Sequence, residues 1–187
     1  MPYPTQIDRV QLVAAAQQLV ENEGVEALSL HRVATVLGVK APSLYRYVTN
    51  KAELLRAINE ATVQQLFAAM HEQAAPATAP VAQLLAMLRT FRHFAHCHPH
   101  TYTLLFTAQA ATGRPDEGWL VELVLPLQRL MAQVSGEAQS LAALRGAVAL
   151  AHGFIMLELN GQLQRGGDLV ADYETALVAY LRGWQSA

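Results

Sequence analysis

The stretch that decides the fold is SLHRVATVLGVKAPSLYRYVTNKAELL, residues 29–55. Its first apolar residues recur at i, i+3, i+4 and i+7, the spacing of one face of a helix. They are Leu30, Val33, Ala34 and Leu37. Ser29 is a suitable N-cap for this short helix, Gly38 is a suitable stop, and a further short helix is predicted to begin near Ala41. Together with a longer helix at about residues 6–23, the pattern predicts three helices joined by tight turns.

Basic residues are distributed unevenly along the chain. Residues 29–51 contain four of them, including both lysines of the protein, and no Asp or Glu. They are Arg32, Lys40, Arg46 and Lys51. Two short helices joined by a glycine-containing turn are typical of a helix-turn-helix unit, whose second helix enters the major groove of DNA. An ordinary three-helix bundle with a solvated basic face fits the composition and spacing equally well.

Residues 9–55 resemble the DNA-binding domain of the tetracycline-repressor (TetR) family of transcription regulators. The run LGVKAPSLYRYVTNKAELL is a close and specific match, and it is preceded by matching alanines, Leu19 and Leu28. The resemblance implies an all-helical homodimer that binds a palindromic operator in double-stranded DNA. It also implies a C-terminal ligand-binding and dimerisation domain, and repression that a small-molecule effector relieves.

The resemblance assigns DNA-binding roles residue by residue. Tyr45 and Lys51 stand at family positions that contact phosphate, whereas Tyr47 stands where the family more often has His. Its hydroxyl is expected to reach a phosphate without carrying charge. The variable start of the recognition helix is expected to read base edges, with Lys40 facing guanine and Pro42 facing a thymine methyl. The predicted DNA-binding residues are Lys40, Ala41, Pro42, Ser43, Tyr45, Arg46, Tyr47 and Lys51.

The C-terminal part resembles the TetR-family domain that is named for a Trp-His-Gly motif. The similar segments are FAHCHPHTYTLLF (residues 94–106) and ALAHGFIMLELNGQL (residues 149–163). His152 and Gly153 match the motif, but no tryptophan precedes them. We therefore predict a helix-turn-helix domain at residues 1–50 and a ligand-binding and dimerisation domain at residues 51–187.

About nine helices are expected in all. Beyond the first three they are predicted at residues 50–73, 80–97, 99–110, 117–134, 138–165 and 169–184, separated by prolines and glycines. The last two helices are expected to form the dimer interface, because small residues let a partner helix approach closely. The predicted interface residues are Leu144, Ala147, Val148, Ala151, Ile155, Leu177, Tyr180 and Leu181.

A pocket for an apolar or aromatic effector is expected among the middle helices, because Met and aromatic side chains line adaptable pockets. Each of these side chains, taken alone, belongs more often to an ordinary core than to the wall of a ligand pocket. The candidates are Phe67, Met70, Met87, Phe91, Phe94, Tyr102, Phe106, Trp119 and Leu123.

Bulk composition excludes several classes of protein. Of 187 residues 52% are hydrophobic and 15% charged, which excludes a disordered chain. The single cysteine, Cys97, permits no intrachain disulfide and suits the cytoplasm. The apolar stretch from Leu141 to Leu159 contains Arg145 and Glu158, so we interpret it as a buried helix and expect no membrane partner.

A histidine-rich segment allows a different function. His93, His96, His98 and His100 surround Cys97. His93 shares a helical face with Cys97, and His93 and His96 are three residues apart. A small metal-dependent enzyme using His93, His96 and Cys97 is the alternative, although no nucleophile–base pair or metalloprotease spacing supports it. A helix-turn-helix fold kept only for protein interaction is a third possibility. We expect no cofactor and no metal site.

Overall fold

The computed structural model describes residues 7–107 and 113–185. Eight α-helices account for most of them, and no strand occurs in these two ranges. The helices are α1 (Arg9–Glu23), α2 (Leu30–Leu37), α3 (Lys51–Ala74), α4 (Pro80–Cys97), α5 (Pro99–Thr107), α6 (Glu117–Ser135), α7 (Ser140–Leu159) and α8 (Leu169–Gln185). Short 3₁₀ turns lie at Val25–Ala27, Ala41–Leu44 and Glu137–Gln139. The predicted all-α fold is confirmed.

Two helices differ from their predicted form. The short helix expected near Ala41 is a 3₁₀ turn, because both the amide and the hydroxyl of Ser43 bond the carbonyl of Lys40, at 2.9 and 2.7 Å. The helix expected to reach residue 165 ends at Leu159. There Gly161 adopts a φ of +64°, and the amide of Gln162 bonds the carbonyl of Leu157, a pairing that closes a helix C-terminus.

The chain folds into two compact units. Unit 1 consists of Met1–Gln65 and His98–Asp116, and unit 2 of Leu66–Cys97 and Glu117–Ala187. The core of unit 1 combines Leu12 and Val20 of α1 with Leu44 of the 3₁₀ turn, Ile58 of α3 and Leu104 of α5. The first half of α3 and all of α5 complete this core, and the predicted division into domains at residues 1–50 and 51–187 stays a prediction.

The core of unit 2 contains most of the predicted dimer-interface residues. Six of the eight predicted interface residues are at most 5% exposed within their own chain. They are Leu144, Ala147, Ala151, Ile155, Leu177 and Leu181. These six side chains are covered by their own chain, and their part in a dimer stays a prediction. Only Val148, which is 37% exposed, and the half-buried Tyr180 keep accessible surface.

The opposite side of α7 is open and largely apolar. Its exposed residues are Leu141, Ala142, Arg145, Val148, Ala149 and Leu157, which we call the open face. The stretch Glu137–Leu159 is long and apolar enough to cross a membrane by length and composition, with a mean hydropathy of 1.6, and 33% of it is buried. One side of the helix that the sequence predicted to be buried is thus buried, and the other side is open.

Gly146 allows α7 and α8 to pack. A Cβ atom at this position would lie 2.0 Å from the hydroxyl oxygen of Tyr180, which donates a 2.9 Å hydrogen bond to the carbonyl of Ala143. We expect Gly146→Ala to displace Tyr180 and to lower the free energy of unfolding by about 1–3 kcal/mol. Thermal denaturation measures the loss. The matched control is Gly183→Ala in α8, where a Cβ meets nothing within 4 Å and stability should not fall.

Candidate nucleic-acid interface

The turn after α2 presents the start of the predicted recognition segment. Gly38 takes a left-handed conformation with φ +66° and ψ +27°, and the amide of Val39 returns to the carbonyl of Ala34. Leu44 and Val48 are at most 1% exposed and anchor the segment in the core of unit 1. The other residues of this segment are exposed or half-buried.

The eight predicted DNA-binding residues lie together on this segment and at the start of α3. Five are exposed: Lys40, Pro42, Tyr45, Arg46 and Lys51. Three are half-buried: Ala41, Ser43 and Tyr47. This arrangement gives three cations and two further exposed side chains within twelve residues of chain, on one side of a well-packed core.

Tyr47 has a structural contact that the sequence did not predict. Its hydroxyl donates a hydrogen bond to the backbone carbonyl of Ile7, a residue that is 4% exposed and part of the unit 1 core. The guanidinium of Arg46 lies over the Tyr47 ring, 4.6 Å from its centroid. Tyr47 therefore anchors Ile7, which lies just before α1, and its ring packs against the guanidinium of Arg46. No sequence signal links Ile7 to Tyr47, which are 40 positions apart.

The N-terminus of α3 is capped close to its first lysine. The side chain of Asn50 accepts from the amide of Glu53 at 2.9 Å. The Glu53 carboxylate accepts from the amide and the hydroxyl of Thr49, both at 2.7 Å. The hydrogen bond from the Thr49 amide is the main reason that the pKa of Glu53 is lowered. The exposed Lys51 ammonium lies 3.4 Å from the carbonyl of Val25.

The cations of this surface differ in their pairing. Arg32 on α2 forms an ion pair with Glu23, with Nη2 and Oε1 2.7 Å apart. Within residues 7–107 and 113–185, the ion pairs include none of Lys40, Arg46 and Lys51. These three charges are therefore the ones available to an anionic partner such as phosphate.

The predicted effector-pocket residues are divided between the two units. Seven belong to unit 2: Phe67, Met70, Met87, Phe91, Phe94, Trp119 and Leu123. Tyr102 and Phe106 belong to unit 1, with ring centroids 4.9 Å apart. Met87 lines a surface cleft of about 410 Å³ in unit 2, together with His71, Gln83, Pro126 and Arg129 among others.

The histidine-rich segment is used in separate contacts. The ring of His93 lies 3.5 Å from the Cys97 sulfur, and His96 pairs with Glu158 on α7 at 3.0 Å. The Nδ1–H of His100 donates to the carbonyl of Glu21. In the part of the chain that the structure describes, no group of three or more His, Cys, Asp or Glu side chains could hold a metal ion.

Two family models match the chain. Residues 12–58 match the model described as "Bacterial regulatory proteins, tetR family", and residues 84–180 match "Tetracyclin repressor-like, C-terminal domain". The first match contains the segment with Lys40, Arg46 and Lys51. The second spans α7 and most of α4 and α8.

Relatives and solved structures agree with these matches. "Uncharacterized HTH-type transcriptional regulator Rv0681" of Mycobacterium tuberculosis is 30% identical over 162 residues, which cover 84% of this chain and 73% of that protein. BioQ with its double-stranded DNA operator is similar in fold, with a TM-score of 0.67, 23% identity and coverage of 97% and 100% of the two chains. A TetR variant from Acinetobacter baumannii AYE in complex with minocycline has a TM-score of 0.71, 20% identity and coverage of 97% and 98%. With both halves matched and a relative of 30% identity aligned along most of its length, the chain belongs to the TetR family and is a DNA-binding transcriptional regulator.

Proposed function

We propose that this regulator is a cytoplasmic, homodimeric repressor that a small apolar or aromatic molecule releases from a palindromic operator. The observation that carries the proposal is the exposed set Lys40, Arg46 and Lys51, which enters no ion pair among the described residues and lies in the segment matched by the TetR-family DNA-binding model. We assign it no catalytic activity, no cofactor and no membrane partner.

Within the DNA-binding surface we assign two kinds of contact. Lys40, Ala41, Pro42 and Ser43 begin the segment that follows the Gly38 turn, so we assign them to base edges in the major groove. Tyr45, Arg46 and Lys51 are assigned to phosphates. Tyr47 is assigned a phosphate contact only if its hydroxyl exchanges the carbonyl of Ile7 for a phosphate oxygen.

The open face of α7 supports the homodimer. Leu141, Val148 and Leu157 are 37–43% exposed on a helix that is largely apolar. An obligate dimer covers such a face with its own copy, because a two-fold interface places the same patch on both subunits. A symmetric pair of subunits would also present two recognition segments to the two halves of a palindrome.

Unit 2 supports the effector site. It contains seven of the nine predicted pocket residues, and those that are buried include Met70, Met87, Phe91 and Phe94. Flexible Met and aromatic side chains adapt to apolar ligands of different shape. The Acinetobacter TetR variant, which is similar in fold, is in complex with minocycline, and this supports a small-molecule effector.

Selection of bound fragments from genomic DNA tests the proposed function. The full-length protein is incubated with the fragments at low salt, and bound DNA is sequenced. We expect an inverted repeat, and a reporter gene placed behind it should be repressed by the protein. A library of aromatic compounds is then screened for loss of repression. Failure to retain any fragment at low salt would contradict operator binding, and activation of the reporter would contradict repression.

Substitution of the two lysines separates backbone contact from base reading. Lys51→Ala should weaken binding to every DNA sequence alike and reduce the slope of log affinity against log salt by about 0.9 for each phosphate that the variant no longer binds. Lys40→Ala should change the sequence preference, because a base contact discriminates between base pairs by about 1–3 kcal/mol. Fluorescence anisotropy on the operator and on single-base variants measures both effects. An unchanged preference after Lys40→Ala would remove its base-reading role.

A further inference from the structure

The surface cleft of about 410 Å³ in unit 2, which we call the unit 2 cleft, is lined mainly by three helices. The end of α3 contributes His71, α4 contributes Gln83 and Met87, and α6 contributes Pro126 and Arg129 among others. All of its lining residues belong to unit 2. Pockets for small molecules usually have volumes of about 300–1,000 Å³, so this cleft is large enough for a small ligand.

Part of the lining is apolar and comes from all three helices. Ala74 and Met87 are buried, Leu130 is half-buried and Pro126 is exposed. The flexible side chain of Met87 adapts to ligands of different shape. The ring of Pro126 fixes its own backbone, so this wall loses little conformational freedom when a ligand binds. These residues favour a ligand with an apolar body.

The charged part of the lining has one sign. It contains Arg129 and, among the described residues, no Asp or Glu. Arg129 is exposed and takes part in none of the ion pairs of the described chain. By contrast, a cleft of about 350 Å³ in unit 1 contains both Arg9 and Glu60. An unpaired guanidinium attracts an anion, and its planar fork of N–H donors matches the two oxygens of a carboxylate.

The remaining polar groups of the unit 2 cleft include neutral acceptors. Nδ1 of His71 lies 2.7 Å from the backbone carbonyl of Phe67. A carbonyl can only accept, so in the neutral ring the hydrogen is on Nδ1 and Nε2 is an acceptor. The side-chain amide of Gln83 donates to the carbonyl of Ala77 at 2.8 Å, which leaves its oxygen as an acceptor. Arg129 is therefore the permanent charge that a ligand in this cleft has to match.

We infer that the unit 2 cleft binds a small organic acid, with its carboxylate on the guanidinium of Arg129 and its apolar body against Met87, Pro126 and Leu130. The inference rests on the proposed function, because it gives the proposed apolar or aromatic effector a site and a chemical class. A neutral molecule with the same apolar body lacks the charge that Arg129 matches. The cleft thus discriminates an acid from its amide.

Titration of the full-length protein with matched pairs of probes tests the inference. The members of a pair share one apolar body and differ in charge: benzoate and benzamide, naphthoate and naphthamide, octanoate and octanamide. Isothermal titration calorimetry at neutral pH measures each dissociation constant. At least one acid should bind about tenfold or more tightly than its amide, as a hydrogen-bonded charge pair provides. The inference would be overturned if no acid bound, or if acid and amide bound equally in every pair.

Two variants locate the contact. Arg129→Gln removes the charge but keeps a polar side chain, so the acid should bind about tenfold more weakly while its amide binds as before. The matched control is Arg165→Gln, which removes an exposed arginine of unit 2 that does not line the cleft, and it should keep the wild-type preference. Both residues are exposed, so both variants should fold, which circular dichroism checks. A preference for the acid that persists in Arg129→Gln would overturn the assigned contact.

Operator titrations separate the failure of this inference from the failure of the proposed function. An acid that binds through Arg129 and releases the operator supports both. An acid that binds through Arg129 but leaves the operator bound supports the site and contradicts its role as the effector site. Release of the operator by a neutral aromatic molecule, with no acid bound at the cleft, would support the proposed function and overturn the inference.

Discussion

Val148→Arg should dissociate the homodimer and abolish tight operator binding. Val148 is 37% exposed on the open face of α7, beside Leu141, Arg145 and Leu157. In a two-fold dimer the substitution occurs twice, so two cations with no partner would be buried in an apolar interface. We expect the dimer dissociation constant to rise on the order of 100-fold, equivalent to about 2.7 kcal/mol. Operator affinity should fall with it, because a monomer contacts only one half-site.

Sedimentation equilibrium and operator titrations measure these changes. The matched control is Val121→Arg, which places the same charge at a valine that is 59% exposed on α6 and should leave the dimer intact. The far-ultraviolet circular dichroism of both variants should remain that of the wild type. A Val148→Arg protein that stays dimeric would locate the interface elsewhere on the chain.

Arg92→Met should be the most destabilising of the proposed single substitutions in unit 2. The guanidinium of Arg92 on α4 binds both carboxylate oxygens of Glu158 on α7, and the two side chains are only 16% and 10% exposed. It also lies 5.8 Å from the ring centroid of the buried Tyr173. Removal of one partner leaves a largely buried charge uncompensated, so the free energy of unfolding should fall by about 3 kcal/mol.

Two other variants test whether the stability lost in Arg92→Met comes from the burial of the Arg92–Glu158 pair. Arg89→Met is the matched control, because Arg89 pairs with Glu174 in the same two-bond geometry but is 56% exposed, and we expect a loss of about 1 kcal/mol or less. Arg92→Met combined with Glu158→Met should recover most of the lost stability, because no charge remains unpaired. Urea denaturation at a fixed protein concentration measures all four proteins. Equal losses for Arg89→Met and Arg92→Met would show that burial does not set the strength of the pair.

The Arg92–Glu158 pair predicts how the stability of the protein depends on pH. Burial raises the pKa of Glu158, but hydrogen bonds and charge from Arg92 and His96 outweigh it, and the pKa lies below its ordinary value. A carboxylate with a lowered pKa in the folded state stabilises the protein above its unfolded pKa of about 4.3, and this stabilisation is lost as pH falls through the folded pKa. Stability of the wild type should therefore decrease between about pH 5 and pH 3, and less steeply in Arg92→Met.

The sequence predicted the local elements well because their determinants are local. The cap at Ser29 and the stop at Gly38 both lie where the sequence predicted them. The end of α7 was missed although Asn160 and Gly161 are a typical stop signal, because the apolar pattern continues past them. The recognition segment was predicted as a helix, but the Ser43 hydroxyl competes for the Lys40 carbonyl and a 3₁₀ turn forms.

Helical periodicity cannot determine which side of an apolar helix is buried or which residues lie together in a pocket. The predictions for the dimer and the effector pocket depended on both. α7 is largely apolar, so spacing does not distinguish the side that packs in unit 2 from the open face. The pocket candidates share only their residue type, and the fold places Tyr102 and Phe106 in unit 1 and the other seven in unit 2. Residue type indicates burial, whereas the neighbours of a side chain depend on the path of the chain.

By itself the sequence determined that this protein is all-helical, that residues 29–51 contain four basic residues and no Asp or Glu, and that this segment resembles a TetR-family DNA-binding domain. These properties follow from helical periodicity, capping residues and charge spacing over a few turns. The tertiary structure alone decided which face of α7 is open, that Glu158 is held by Arg92 from 66 positions away, and that Glu21 caps α5 across 79 positions. Such contacts form only when distant helices pack together, and no pattern within a single helix records them.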